Sequence, residues 1–374
     1  MFNIIPGAAL PKLKWRYLPV LFIFIFLNGC GSLGFAGFFG KNRSSDQAGS
    51  GEPQASQPLW VTEPYSVYDR ASFLAAVGHG SSRDAAGRNA LTALTAFFGQ
   101  SIQSDLRTLS AYTEAVTDGT IRVSSETNEI TEALRISVDM DTLIGAEIRD
   151  FWYDTKNVYY AAAVMEKAGA AKLYTDLIVS NTRIINELTN LSDGEKYSLD
   201  GVVNYHRAAS VADTSAVFIK VLSAIGSAED FDAVKKGEEY RIQAAEIIKR
   251  IPIRVRVSND RADRIKGAFA EVLTRMGFRT GGNDSRYVLD VKTILSEVVL
   301  DGPYKWYRYE INAELIDTRN RAVLVPYSIT DRKGHAQLEE AENRAVAHAE
   351  EIILGSFGDV LGAYLTRLSE KKKT

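Results

Sequence analysis

The chain has 374 residues, 45% of them hydrophobic and 24% charged, with a formal net charge of −3. That length can bury a sizeable core and suggests two domains or three, while the balanced charge gives no sign of a nucleic-acid partner or of an acidic disordered chain. The single cysteine excludes an internal disulfide, so the fold must rest on packing.

The chain opens on an address. Met1–Tyr17 carries Lys12, Lys14 and Arg16 and no acid, and Leu18–Leu27 is an apolar block. A basic stretch before a short apolar run is the secretory pattern. At about 10 residues, the block falls short of the ~20 needed to cross a bilayer. The segment Leu27-Asn28-Gly29-Cys30 then resembles a bacterial lipoprotein signal with its lipobox, although Asn28 stands where Ala or Ser is commonest. The resemblance implies that residues 1–29 are a signal peptide, that the Cys30 thiol receives a diacylglyceryl group and that its new amine is acylated. Each buried methylene contributes ~0.8 kcal/mol, and stable anchoring takes two acyl chains or more. By resemblance to enterobacterial lipoprotein sorting, Gly31 rather than Asp after the cysteine favours the outer membrane over retention at the inner one. The other reading of this region is an uncleaved anchor, Leu18–Phe39, about 22 largely apolar residues and long enough to span. Residues 30–58 are rich in Gly and Ser and read as a flexible tether, with an r.m.s. reach of about 30 Å.

Residues 60–191 read as a first α+β domain. Phe73–Val77 predicts a strand, and Gly78, His79 and Gly80 predict a turn into a helix capped by Ser81 or Ser82. Gly87, Leu91, Leu94, Phe98, Ile102, Leu106 and Leu109 recur at helical spacing. Thr113–Thr131 reads as a loop or ragged helix. Leu143–Lys167 reads as a hairpin around the turn Asp154–Asn157, followed by a helix from Ala168 to Leu191. With Trp60, Tyr68, the "AVGHGSS" segment, Ala85, Ala90, Ala93 and "YDTKNVYYAAAV", this third of the chain resembles the Lpp-twenty type of bacterial outer-membrane lipoprotein. The resemblance implies a structural or assembly role in the cell envelope, not a catalytic one.

Residues 192–250 read as a helical connector of two or three helices, over Gly201–Val211, Thr214–Gly226 and Ser227–Arg250. Residues 251–368 read as a second α+β domain of order βαβββα, an antiparallel or mixed sheet with helices on one face. Its strands are Ile251–Val257, Ser285–Leu300, Lys305–Asp317 and Ala322–Thr330. Tyr307, Tyr309, Ile311, Ala313 and Leu315 alternate with Arg308, Glu310, Asn312 and Glu314, a period of two. Asn259 and Asp260 can cap a helix that ends at Gly277, and a long helix runs from Glu339 to Leu368. Residues 369–374 are a basic tail.

Chemistry is sparse. Four histidines and one cysteine, with no His-Glu-x-x-His and no paired-cysteine spacing, point to no metal, and no phosphate-cradling or nucleophile-elbow motif implies a cofactor or an enzyme. Asp139–Asp141 is an isolated carboxylate pair of a kind that is usually solvated. An echo 256 positions apart pairs His79 with His335 and Arg88 with Arg344, so these four are candidates for a pocket between the domains. Trp152, Tyr153, Trp306 and Tyr307 belong to two aromatic clusters that can fill core or form a partner surface. The leading expectation is therefore a non-enzymatic, lipid-anchored outer-membrane protein. It would hold membrane lipid through acylated Cys30 and an envelope partner or further copies of itself through its domains. The alternative is a ligand-binding or enzymatic lipoprotein that uses the four-residue pocket.

Overall fold

The computed structural model describes residues 56–98, 143–154, 156–227, 231 and 235–370. The chain divides into Met1–Gly51 and Glu52–Thr374, and every described element belongs to the second. The signal peptide, Leu27, Asn28, Gly29 and Cys30, the tether up to residue 55, Thr113–Thr131 and Asp139–Asp141 lie outside the described residues. Those described form an α+β protein with seven α-helices and two open sheets.

The first sheet is antiparallel, of order β1-β3-β2, built from β1 (Phe73–Gly80), β2 (Ala146–Tyr153) and β3 (Tyr159–Glu166). Contrary to the expected turn, Gly78, His79 and Gly80 complete strand β1. The glycines are there because α1 (Arg83–Ala96) folds back over the strand with its backbone in contact. A Cβ on Gly78 would lie 2.0 Å from the Ala90 amide nitrogen, and one on Gly80 would lie 2.7 Å from the Ala85 Cβ. Ser82 is the cap, its Oγ accepting the Ala85 N–H at 3.1 Å. The β2–β3 turn is held by the Asp154 carboxylate, which accepts the N–H groups of Lys156 and Val158 at 2.9 and 2.8 Å.

Both faces of this sheet are covered. Ala76, Ala161, Ala163 and Met165 pack on α1 and on α2 (Lys167–Thr189). Ala75, Ala162, Val164 and Trp152 pack beneath Trp60 and Tyr68 of the segment leading into β1. Beyond α2 come α3 (Asp193–Lys196), α4 (Leu199–Ala224) and α5 (Gly237–Ile248).

The two helices expected over Gly201–Gly226 are one 26-residue helix, α4. Its first half places Leu199, Val202, Tyr205 and Ala209 in the larger core, and its second half places Val217, Phe218 and Val221 against the first sheet. Helix α2 divides in the same way: Tyr174 and Leu177 face the first sheet's core, Ile184 and Ile185 the larger one. Between the two helices the buried Asn181 side chain donates to Ser215 Oγ at 3.0 Å.

The second sheet has the order β5-β4-β6-β7-β8, from β4 (Pro252–Ser258), β5 (Arg279–Thr280), β6 (Tyr287–Val298), β7 (Lys305–Asp317) and β8 (Ala322–His335). β4 runs parallel to β5 and β6, and the remaining pairs are antiparallel, so the sheet is mixed. Ile253, Leu289, Val291, Tyr309, Ile311, Ala313 and Leu315 turn to one face, where α6 (Arg264–Arg275) and α7 (Leu338–Glu370) cover them. The Asp260 carboxylate caps α6 by accepting the N–H groups of Ile265 and Lys266 at 3.2 and 2.8 Å, and Gly277 at φ +89° ends the turn beyond it. Two features depart from expectation. The two-residue strand β5 is additional, and β8 runs past Thr330 to His335, opposite Lys305. No helix among the described residues is long and apolar enough to cross a membrane.

Candidate functional site

The four residues suggested for a pocket fall into two pairs, His79 and Arg88 on the first sheet and the helix packed on it, His335 and Arg344 on the second sheet and its long helix. His79 lies near the end of β1, its ring 6.1 Å from that of Tyr160, and Arg88 is exposed on α1. His335 ends β8, its Nδ1 accepting the Gln337 N–H at 3.3 Å, and Arg344 pairs with Glu340 along α7. No hydrogen bond, ion pair or ring contact joins the first pair to the second among the described residues.

The aromatic candidates also part. Trp152 is buried under Trp60 and Tyr68, with its ring 5.3 Å from Tyr160 and its indole N–H without a partner. Tyr68 donates to the Asp150 carboxylate, and burial together with that bond pushes its hydroxyl above the ordinary tyrosine range. Tyr153 rests on Tyr159 with ring centres 4.5 Å apart. Trp306 is half-buried between Gly334, where a Cβ would approach the indole to 3.0 Å, and the Arg332 guanidinium, 5.5 Å from the ring centre. Tyr307 packs at the margin of the larger core. Next to Trp306 the β6–β7 hairpin ends in an apolar tip, with Val299 88% exposed beside Leu300 and Tyr304.

On the covered face of the second sheet, Tyr309 Oη meets His348 Nδ1 at 2.9 Å, and the Asp331 carboxylate lies 3.5 Å from the same nitrogen. Burial pushes the Tyr309 hydroxyl up to about 12. The Arg332 N–H, with Lys333, holds the Asp331 carboxyl below the usual range. Among the described residues no group of three or more His, Cys, Asp or Glu side chains could hold a metal ion.

A feature without a clear motif in the sequence is a cleft of about 370 Å³ beside the edge of β4. Arg254 and Val255 of β4, Lys266 and Ala270 of α6 and the Gly281–Asn283 loop line it. The one local signal is the Gly281-Gly282 pair, whose φ values of +109° and +92° turn the chain away after β5. A second, smaller cleft of about 220 Å³ lies between Tyr197 and α5, where Arg250 donates to the Tyr197 hydroxyl at 2.7 Å.

No protein-family model matches the chain, and no curated protein matches it. Among solved structures it is similar to the secreted protein HP1454 from Helicobacter pylori, at 16% identity and a TM-score of 0.34 over 75% of this chain and 98% of that one. It is also similar to a minor lipoprotein from Acinetobacter baumannii, at 16% identity and a TM-score of 0.22 over 32% of this chain and 93% of that one. An uncharacterized lipoprotein B from Nitrosomonas europaea matches at 15% identity and a TM-score of 0.19, over 32% of this chain and 79% of that one. Bacterial lipoproteins and a secreted protein are thus among its structural neighbours.

Proposed function

We propose that the chain is a lipid-anchored protein of the bacterial outer membrane, of the Lpp-twenty type, that binds protein partners and catalyses no reaction. The observation that carries this reading is the sequence Leu27-Asn28-Gly29-Cys30 behind a basic segment and a short apolar block. A lone cysteine in that place serves acylation, and the Gly- and Ser-rich composition of residues 30–58 is that of a spacer between a lipid anchor and a folded part. The exposed hairpin tip at Val299, Leu300 and Tyr304 adds apolar surface of the kind that partners cover.

The test is crosslinking and pulldown of the full chain from intact envelopes of a Gram-negative host, with Cys30→Ala as control. The wild type should fractionate with membranes and crosslink to discrete envelope proteins or to itself. Cys30→Ala should leave the membrane fraction and lose those adducts. A Cys30→Ala variant that stays with the membrane and keeps its adducts would refute anchoring through Cys30.

A further inference from the structure

We propose that the open edge of β4 receives an extended acidic segment of a partner protein, which adds to the second sheet as a further strand. The inference deepens the partner-binding half of the function proposed above and rests on it; the anchor at Cys30 is not required.

Strand β5 covers only the start of β4. It pairs with Pro252 and Ile253, through the Arg279 N–H to Ile251 O at 3.3 Å and the Gly281 N–H to Ile253 O at 3.1 Å. The chain then leaves the edge at Gly281 and Gly282, whose carbonyl oxygens both accept the Ser285 hydroxyl, at 2.8 and 3.0 Å. The N–H and C=O groups of a strand alternate in side, so Val255 and Val257 present theirs on the side that Ile251 and Ile253 use. Among the described residues no hydrogen bond is made to them there. Asn259, at φ +58°, ends the strand. The vacant stretch therefore offers two N–H and two C=O groups at strand spacing, enough to pair a short extended segment.

The opposite edge of the same sheet is protected. β8 carries Pro326, which has no N–H to offer, and the charged run Asp331, Arg332 and Lys333. On β4 the charges favour a particular guest instead. Among the described residues that line the cleft, Arg254 and Lys266 are charged and none is a carboxylate. Arg279 is exposed beside it. Of the nearby acids, Asp260 is committed to capping α6, Asp263 reaches Lys266 only at 3.5 Å, and exposed Asp284 follows the lining loop without being part of the lining. Arg256 takes no part, because its guanidinium is held by Asp290 in two bonds of 2.9 Å. Backbone pairing along Val255 and Val257, with cations at Arg254, Lys266 and Arg279, selects an acidic strand.

The experiment titrates the full-length protein, in detergent, with the end-blocked peptide Glu-Val-Glu-Val-Glu and with its Lys-Val-Lys-Val-Lys counterpart. Affinity is followed together with hydrogen exchange at the Val255 and Val257 amides. The acidic peptide should bind and slow exchange at both amides, and the basic one should bind at least ~10-fold more weakly. Lys266→Glu should cost the acidic peptide ~10-fold. Val255→Pro, which removes an unpaired N–H, should abolish binding; should that variant fold poorly, Lys266→Glu keeps the test decisive. Equal binding of the two peptides, no binding, or binding without slowed exchange at Val255 and Val257 would each overturn the proposal. So would protection of those amides that rises with protein concentration alone, which assigns the edge to a second copy, or protection already present in dilute protein. If envelope partners crosslink to the wild type while the acidic peptide fails to bind, this inference falls and the partner-binding reading stands.

Discussion

Gly78 of β1 lies directly beneath Ala90 of α1, so close that a Cβ on the glycine would sit 2.0 Å from the Ala90 amide nitrogen. The obstacle is helix backbone, which cannot swing aside as a side chain can. Gly78→Ala should therefore lift α1 from the sheet at a cost of about 3 kcal/mol. Gly87 supplies the contrast. It is buried on the same helix, but a Cβ there meets Ile148 and Phe151 at an ordinary 3.8–3.9 Å. Gly87→Ala should be neutral or stabilising by up to about 1 kcal/mol through helix propensity. Urea unfolding of the two variants distinguishes close helix–strand contact from a simple need for flexibility.

Asp317, at the end of β7, accepts Nε and Nη2 of Arg286 at 2.9 and 2.7 Å and the Arg319 N–H at 3.0 Å. Burial pushes its carboxyl up, but those hydrogen bonds outweigh burial and hold it below the ordinary carboxylate range. A depressed folded value means that the stabilisation is complete above the unfolded value of about 3.9 and is lost as pH falls through the folded one. Asp317→Asn should lose about 1–3 kcal/mol at neutral pH. Its deficit relative to wild type should shrink below about pH 4, as wild-type Asp317 protonates. Denaturant midpoints at pH 7 and pH 3 check both statements.

Asp260 satisfies two backbone donors at the start of α6 at once. Asp260→Ala should cost about 1–2 kcal/mol, and Asp260→Asn, which keeps an acceptor oxygen, should cost less. Thermal unfolding of the pair, followed by circular dichroism, measures the difference.

Trp60 covers Trp152 on the outer face of the first sheet. Trp60→Ala should destabilise the protein by about 3 kcal/mol. It should also shift the emission of Trp152 to longer wavelength, as water reaches an indole N–H that has no partner now. Unchanged emission from the Trp152 side of the sheet would mean that the leading segment does not cover it.

The elements with a single buried face were legible in the sequence. The alternation Tyr309, Ile311, Ala313, Leu315 gave β7, and the stripe through Ile265, Phe269 and Val272 gave α6, because each packs one side against one core. Helix α4 reads as two helices in the sequence because it serves two cores. Its first half buries Leu199 and Val202 and its second half Val217 and Val221, and burial all round leaves no stripe to follow through Asp213. Gly78 and Gly80 suggested a turn because close approach by a helix leaves the same local mark as a positive-φ bend. The echo between His79 and His335 marks a real likeness of place, since each stands at the end of a strand that precedes a helix, but each has its own neighbours. The β4 cleft left only the Gly281-Gly282 pair as a trace, because an unfilled sheet edge depends on where a distant strand stops.

Acylation of Cys30 is tested most directly by the mass of the N-terminal peptide from membrane-extracted protein. Residues 1–29 should be absent, with a diacylglyceryl group on the Cys30 sulfur and a further acyl chain on its amine. A chain that still begins at Met1, or an unmodified Cys30 within an intact peptide, would contradict the lipid anchor.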